Sequence, residues 1–250
     1  MIDLLLDGKT AMVTGASRGL GRAIAEALYE QGVRLLAAAR SIDQLKNLES
    51  RDPERIRAVQ CDMQDRAAVA ALPATAISSF GRIDIVVNNA GIAPAGKFVE
   101  HDDALWQKVM AVNVLAPVAL ARAAGVHMLK QGSGKIINIA STSGILGKST
   151  LVAYSSSKGA LLQMTKALGA EWASRGVQVN AIAPGAFETD AQRLVLESPE
   201  ILKRRLGKIP QHRMGTAEEI GPLVCYLASQ KSSFITGSVL VIDGGESSKL

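Results

Sequence analysis

Tyr154 and Lys158 stand four residues apart in the run Ala153-Tyr154-Ser155-Ser156-Ser157-Lys158-Gly159, and Ser141 lies thirteen residues upstream. Side chains at i and i+4 share one face of a helix, so a phenol and an ammonium group would meet there. A cation held beside a phenol stabilises phenolate and lowers the tyrosine pKa from its ordinary value of about 10 towards neutrality. A tyrosine tuned in that way gives or takes a proton at physiological pH. Tyr-x-x-x-Lys alone is common on exposed helix faces. Its meaning depends on what the rest of the chain places beside it.

The first fifty residues supply that context. Thr10-Ala11-Met12-Val13-Thr14 reads as a short buried strand that runs into Gly15-Ala16-Ser17-Arg18-Gly19-Leu20-Gly21. A helical pattern follows over Arg22–Gln31, with Gly32 suited to the stop. Strand, glycine turn and helix are the setting a dinucleotide fingerprint requires. Gly15 allows the tight exit from the strand, and Gly19 and Gly21 allow close approach of the pyrophosphate. The helix N-terminus meets its charge with free N–H groups and the helix dipole.

The second strand, Val33–Ala39, is followed by Arg40-Ser41. An NAD site normally carries an acid at this strand end, to accept from the ribose 2′-hydroxyl. Here the strand ends in alanine, and Arg18 and Arg40 offer two guanidinium groups to a 2′-phosphate. The charge pattern therefore predicts NADP(H).

The elements needed to position these groups can be traced along the whole chain of 250 residues. Strands are expected at Ile56–Gln60, Ile83–Val87, Lys135–Ile139, Val177–Ala183 and Ser238–Ile242. Helices are expected at Asp65–Ser79, bent or split by Pro73, and at Asp102–Lys130, kinked by Pro117. Two further helices carry Tyr154 to about Ser174, and Thr216 to Ala228 with a Thr216/Glu219 capping box. Residues 186–215 are polar, broken by prolines, and read as a mobile substrate lid with short helices.

This alternation predicts an α/β fold: a Rossmann-type, doubly wound parallel sheet with helices on both faces, in a single domain over 1–250. Gly15, Arg40, Asp62, Asn89, Ser141 and Pro184 then fall at six successive strand ends, where such sheets bind ligands.

A hydrophobic content of 48% suits a sheet buried on both faces. The net charge of +5 is scattered and aromatic residues form only 4%, a pattern unlike a nucleic-acid binder. Cys61 and Cys225 match no metal or redox spacing, so no metal site is expected and the thiols are read as free. Met1–Leu6 is too short for a secretory signal and carries Asp3, and no uninterrupted apolar run approaches a membrane span. The cytoplasm is the first expectation. Ser248-Lys249-Leu250 also matches a peroxisomal address, which would hold in a eukaryote.

Taken in order, Thr14 to Gly21, Asp62, Asn88-Asn89-Ala90-Gly91, Asn113, Ser141, Tyr154-x-x-x-Lys158 and Pro184-Gly185 with Thr189 resemble the short-chain dehydrogenase/reductase family. The resemblance covers essentially the whole chain. It implies a seven-stranded sheet of order 3-2-1-4-5-6-7, usually a homotetramer, and hydride transfer between nicotinamide and a carbonyl/alcohol pair.

The same resemblance implies roles for individual residues. Tyr154 would protonate the substrate oxygen, Ser141 would hydrogen-bond it, and Lys158 would tune Tyr154 and bind the nicotinamide ribose. Asn113 would hold a water that connects Lys158 to solvent. On the cofactor, Ser17, Leu20 and Ser41 join the glycine turn and the two arginines. Asp62 with Met63 meets the adenine, Asn89, Ala90 and Gly91 pass the ribose, and Pro184, Gly185 and Thr189 cover the nicotinamide. Pro94, Ser143, Ile145 and Phe187 are expected to shape the substrate side.

The leading expectation is an NADPH-dependent reductase of ketone or 3-oxoacyl thioester substrates, resembling the 3-oxoacyl-[acyl carrier protein] reductases. Arg175 sits where those enzymes carry a basic carrier-docking residue. The opposing Gln131-Gly132-Ser133 loop lacks its arginine, although Lys130 is close, which weakens the case for an acyl carrier partner. The second expectation is a sugar or polyol dehydrogenase of the gluconate or glucose type, suggested by Pro184-Gly185-Ala186-Phe187-x-Thr189. A third, of another class, is a non-catalytic NADP-binding sensor, against which the intact set of Asn113, Ser141, Tyr154 and Lys158 argues.

Overall fold

Strands and helices alternate in the computed structural model, which describes residues 3–248 except the side chain of Ala191. Lys249 and Leu250 of the C-terminal tripeptide lie outside the described residues. The N-terminal half runs β1 (Thr10–Thr14), α1 (Gly19–Glu30), β2 (Arg34–Ala39), α2 (Ile42–Glu49), β3 (Ile56–Gln60), α3 (Arg66–Phe80) and β4 (Ile85–Asn88). It continues with α4 (Asp103–Met110), α5 (Ala116–Gln131), β5 (Gly134–Ile139), α6 (Ser143–Leu146) and α7 (Val152–Trp172). The chain closes with β6 (Val177–Pro184), α8 (Arg193–Leu196), α9 (Pro199–Leu206), α10 (Gly221–Ala228) and β7 (Val239–Ile242).

The seven strands form one sheet in the order β3-β2-β1-β4-β5-β6-β7, and every pairing is parallel. Successive side chains on a strand point to opposite faces, so each strand feeds two cores. Val13, Leu35, Val87, Ile137 and Ile182 pack with Ile24 and Leu28 of α1 and Val224 and Leu227 of α10. Their neighbours Met12, Leu36, Val86, Ile136 and Val179 pack with Leu72 of α3, Leu120 and Met128 of α5, and Trp172 of α7. Burying one such aliphatic side chain contributes about 1.5–3 kcal/mol, so both layers hold the sheet rigid beneath its ligand-facing edge.

Two expectations change. Helix α3 runs unbroken through the buried Pro73, because its packing on α5 and β1 outweighs one lost backbone hydrogen bond. The break in the 103–131 helix is a π-turn at Ala111–Leu115, and Pro117 lies in the first turn of α5, where a missing N–H costs little. Residues 186–215 hold the short helices expected of them. They carry α8 and α9, and Leu196, Leu202 and Leu206 pack around a small core of Ala186, Ile209 and Met214. The segment from Asp103 to Gln131 is long and apolar enough to cross a membrane by composition, but half of its most apolar window is buried inside the protein. It has the character of a core helix.

Candidate active site

The carboxyl ends of the strands open into one cleft of about 450 Å³. Its floor is the turn between β1 and α1. Gly15 has φ +67°, and a Cβ there would stand 2.9 Å from Asn89 Nδ2 and 3.0 Å from Ala90 Cα. A Cβ on Gly21 would meet the Gly15 carbonyl and the same amide. Thr14 locks the two strand ends together: its hydroxyl accepts from the N–H groups of Asn89 and Ala90, both at 3.1 Å. Asn89 Nδ2 donates back to the Thr14 carbonyl at 2.9 Å. Thr14 was counted in the sequence motif without a role; its signal was a hydroxyl placed immediately before the glycine turn.

Helix α1 begins at this floor without a side-chain cap or an acid in its first turn, so its N-terminal N–H groups face the cleft unanswered. Arg18, Arg40 and Ser41 are exposed on the cleft wall, with Ser17 and Leu20 beside them. Ala39 closes β2 where an acid would stand. Asp62 and Met63 follow β3, and Asn89, Ala90 and Gly91 follow β4. Pro184, Gly185, Phe187 and Thr189 form the far wall. A Cβ on Gly185 would strike Asp243, so the chain passes tightly against the residue that follows β7 at this point.

Ser141, Tyr154 and Lys158 line the same cleft. Ser141 follows β5, and its hydroxyl oxygen accepts the Ser143 N–H at 3.1 Å and hydrogen-bonds the Tyr154 phenol. Lys158 is buried on α7 and donates to the carbonyl of Ile139, the last residue of β5, at 2.7 Å. Its ammonium lies 5.7 Å from the centre of the Tyr154 ring.

The electrostatics differ from the expectation drawn from the Tyr/Lys pair. Burial pushes the Tyr154 phenol above its ordinary value, and the Ser141 hydrogen bond pulls it only partly back. Burial also brings Lys158 down to about 8. Both shifts run towards the neutral form because water is excluded from both groups, and Lys158 remains a cation below about pH 8. The phenol is thus held as a proton donor.

Asn113 sits in the π-turn, fully buried, and is not part of the cleft lining. Its Oδ1 accepts from Ile92 N–H at 2.9 Å, and its Nδ2 donates to the Ile92 carbonyl and to Ser157 Oγ, both at 2.9 Å. The Ser157 hydroxyl in turn donates to the Tyr154 carbonyl at 2.7 Å. The Asn113 side chain therefore ties the loop after β4 to the catalytic-helix turn between Tyr154 and Lys158. Ser157 was not singled out in the sequence, where it is one of three consecutive serines.

On the substrate side, Phe187 lines the cleft but belongs largely to the core, with its backbone bridged to Gly215. A Cβ on Gly215 would come 2.8 Å from the Phe187 ring. Ser143 is buried at the start of α6, Pro94 is half-buried, and Ile145 is exposed; none of the three lines the cleft. Lys108 of α4 and Val112 line it without having been expected there. Among the described residues, no cluster of metal-ligating side chains occurs, and Cys61 and Cys225 are free and buried.

Residues 15–247 match the family model described as enoyl-(acyl carrier protein) reductase. The chain is 41% identical over 249 residues to the 2-dehydro-3-deoxy-D-gluconate 5-dehydrogenase of Pseudoalteromonas atlantica, covering 96% of each chain. It is 36% identical to the 3-oxoacyl-[acyl-carrier-protein] reductase of Salmonella typhimurium, covering 96% of this chain and 97% of the relative. The gluconate 5-dehydrogenase of Burkholderia cenocepacia, solved in complex with NADP and tartrate, superposes with a TM-score of 0.94 at 33% identity, over 99% of this chain and 98% of the other.

The chain belongs to the short-chain dehydrogenase/reductase family. It is an NAD(P)-dependent oxidoreductase acting on carbonyl and hydroxyl groups. The strand order found here is the one the resemblance implied, and Gly15, Arg40, Asp62, Asn89, Ser141 and Pro184 line one cleft.

Proposed function

We propose that this chain interconverts a secondary hydroxyl and a ketone on a sugar acid or polyol, with NADP(H) as the redox partner. The observation that carries the chemistry is the meeting of Ser141, Tyr154 and Lys158 with the bare N-terminus of α1 in one cleft. The sequence alone put 3-oxoacyl reduction first. The order is reversed here because identity is higher to a ketogluconate dehydrogenase, at 41%, than to a 3-oxoacyl reductase, at 36%. Arg175, the one residue that favoured carrier docking, donates to the Leu129 carbonyl at 3.4 Å and so serves the end of α5.

The cleft fits a dinucleotide phosphate. Gly15 and Gly21 leave a cradle that a Cβ would fill, and α1 offers unanswered N–H groups to the pyrophosphate. Arg18 and Arg40 supply fork-shaped donors for a 2′-phosphate, where no acid stands to favour a free ribose hydroxyl. NADP in the Burkholderia relative supports the same choice. When bound, the dinucleotide supplies or accepts the hydride.

The chain's own groups handle the oxygen. In reduction, Tyr154 donates its phenolic proton to the oxygen as charge develops there. Ser141 donates a hydrogen bond to the same atom and fixes the carbonyl. Lys158 holds the end of β5 against α7 and returns positive charge to the phenolate that forms. Asn113 and Ser157 position the helix that carries both. Self-association through exposed apolar side chains such as Phe234 and Val126 belongs to the same reading, and sedimentation would show it.

The deciding experiment measures NADPH oxidation with 5-keto-D-gluconate, L-sorbose and acetoacetyl-CoA. The highest kcat/KM is expected with a keto-sugar substrate. A higher value with the thioester would overturn the substrate reading, and no turnover with any would favour the sensor.

A further inference from the structure

Strand β5 grips helix α7 through two neighbouring residues. Lys158 Nζ donates to the Ile139 carbonyl at 2.7 Å, and the preceding residue, Asn138, donates through Nδ2 to Thr165 Oγ1 at 2.8 Å. Thr165 follows Lys158 by about two helical turns, so both stand on the stripe of α7 that faces the sheet. The sense of the second grip is fixed from both ends. Asn138 Oδ1 already accepts from Asn88 Nδ2 at 2.8 Å, so only its amide hydrogens are left to offer. The Thr165 hydroxyl already donates to the Leu161 carbonyl at 2.8 Å, so only its lone pairs are left to receive. Alternation along the strands sets Asn88 and Asn138 in the apolar layer of Val86 and Ile136, and all three polar side chains are buried. Asn88 precedes Asn89, whose amide holds the Thr14 carbonyl, so the bonds run from the cofactor floor to α7. Beside Lys158 the backbone of α6 touches α7: a Cβ on Gly144 would come 2.7 Å from the Lys158 carbonyl carbon and 2.9 Å from the Gly159 nitrogen.

We propose that Asn138 and Thr165 are positioning residues that set the rotation of α7 and so hold the Lys158 ammonium against β5, beside Tyr154. An apolar pair at this seam would pack at several rotations of the helix. A buried amide must meet its acceptor or stand unpaired away from water, so the polar pair admits one rotation. The Lys158 ammonium faces the Ile139 carbonyl from β5, the Tyr154 ring from its own helix, and Gly91 from the loop after β4, where a Cβ would stand 3.5 Å from Nζ. Tyr154 is the titratable side chain among these. If α7 turns, water reaches the ammonium and the charge is no longer held where the phenolate forms. The inference rests on the proton chemistry proposed above and on neither choice of substrate.

The test compares Thr165→Val, which keeps the shape and loses the acceptor, with Thr165→Ser, which keeps the hydroxyl. NADP-loaded protein carrying ¹³C-labelled lysine is titrated by NMR, and the Lys158 signal is identified by its loss in Lys158→Met. Thr165→Val is expected to raise the Lys158 titration midpoint by about 0.5 pH or more. It should also lower kcat by about three- to tenfold, with substrate KM and NADPH affinity within about twofold of wild type. The rate is read with whichever of 5-keto-D-gluconate, L-sorbose and acetoacetyl-CoA the wild type turns over fastest. Thr165→Ser should keep the wild-type midpoint and rate. A Thr165→Val protein that melts earlier but keeps both would overturn the proposal, since the bond would then only support the fold. A lower kcat with an unmoved midpoint would overturn it too, as would Thr165→Ser behaving like Thr165→Val. If wild type turned over none of the three substrates, the reaction reading would fail, and the NMR midpoint would still decide the positioning role. Should Thr165→Val not fold, Thr165→Ala leaves room for a water to answer Asn138, and the same rise in midpoint is required of it.

Discussion

The cofactor half and the substrate half of the cleft are built by different means. Around β1 and β4 the surface is backbone: Gly15 and Gly21 approach Asn89 closely, Thr14 clamps two strand ends, and the α1 N-terminus is left bare. A helix start of the same sheet that serves no ligand looks different: α3 begins with Asp65, whose side chain accepts from the N–H groups of Ala67 and Ala68, both at 3.0 Å. Beyond β5 and β6 the surface is side chain, from Ser141, Tyr154 and Phe187, beside a segment with its own small core of Ala186, Ile209 and Met214. A ligand that is the same in every turnover can be held by backbone shape. A ligand that differs between relatives is met by groups that can be replaced without rebuilding the sheet.

Substitutions should therefore separate along this line. The largest effect is expected where the two halves meet. Tyr154→Phe removes the proton donor and should lower kcat by about 10²–10⁴-fold, with NADPH affinity by fluorescence titration unchanged. Activity near wild type would remove Tyr154 from the chemistry. Next, Arg40→Asp replaces a donor to the 2′-phosphate with an acid suited to a ribose hydroxyl. The NADP/NAD ratio of kcat/KM should fall by about 10–100-fold, the range expected for losing one charge-assisted bond and adding repulsion. An unchanged ratio would refute the charge argument. Smaller again, Gly215→Ala presses a methyl group on the Phe187 ring and should raise substrate KM by about tenfold without changing NADPH affinity. If cofactor affinity fell instead, the two halves would not be separable.

The sheet and the cofactor half were largely legible in the sequence because glycine turns and strand ends are local signals. The motif at Gly15–Gly21 has to be glycine for a steric reason that holds whatever surrounds it, and the strand order followed from the family pattern. The substrate half was read less well. Pro94, Ser143 and Ile145 were expected at the cleft and do not line it, because which side of a loop faces a ligand depends on contacts distant in sequence. Ser157 escaped notice for the same reason: its partner Asn113 is forty-four residues away, and only the π-turn brings them together. The Tyr154 pKa was misjudged because spacing reports proximity to Lys158 but not the loss of water around both.

That last difference yields the smallest and most diagnostic effect. Lys158 is held near pKa 8 by burial, so it is a cation below about pH 8 and loses its charge as pH rises through that value. Its charge favours the phenolate that Tyr154 becomes after donating, so the rate of carbonyl reduction should be highest below pH 8 and decline above it. Ser157→Ala removes the hydroxyl that links Asn113 to the Tyr154 carbonyl, loosening the turn that carries Lys158. The expected loss in kcat is a few-fold, about the value of one neutral hydrogen bond, with KM little changed. A looser turn admits water to the ammonium and lets its pKa recover towards 10.5, so the decline should move to higher pH. Ser157→Thr keeps the hydroxyl and should restore both rate and profile. A Ser157→Ala enzyme that is slower with an unmoved pH profile would mean that this hydroxyl supports the fold without tuning Lys158.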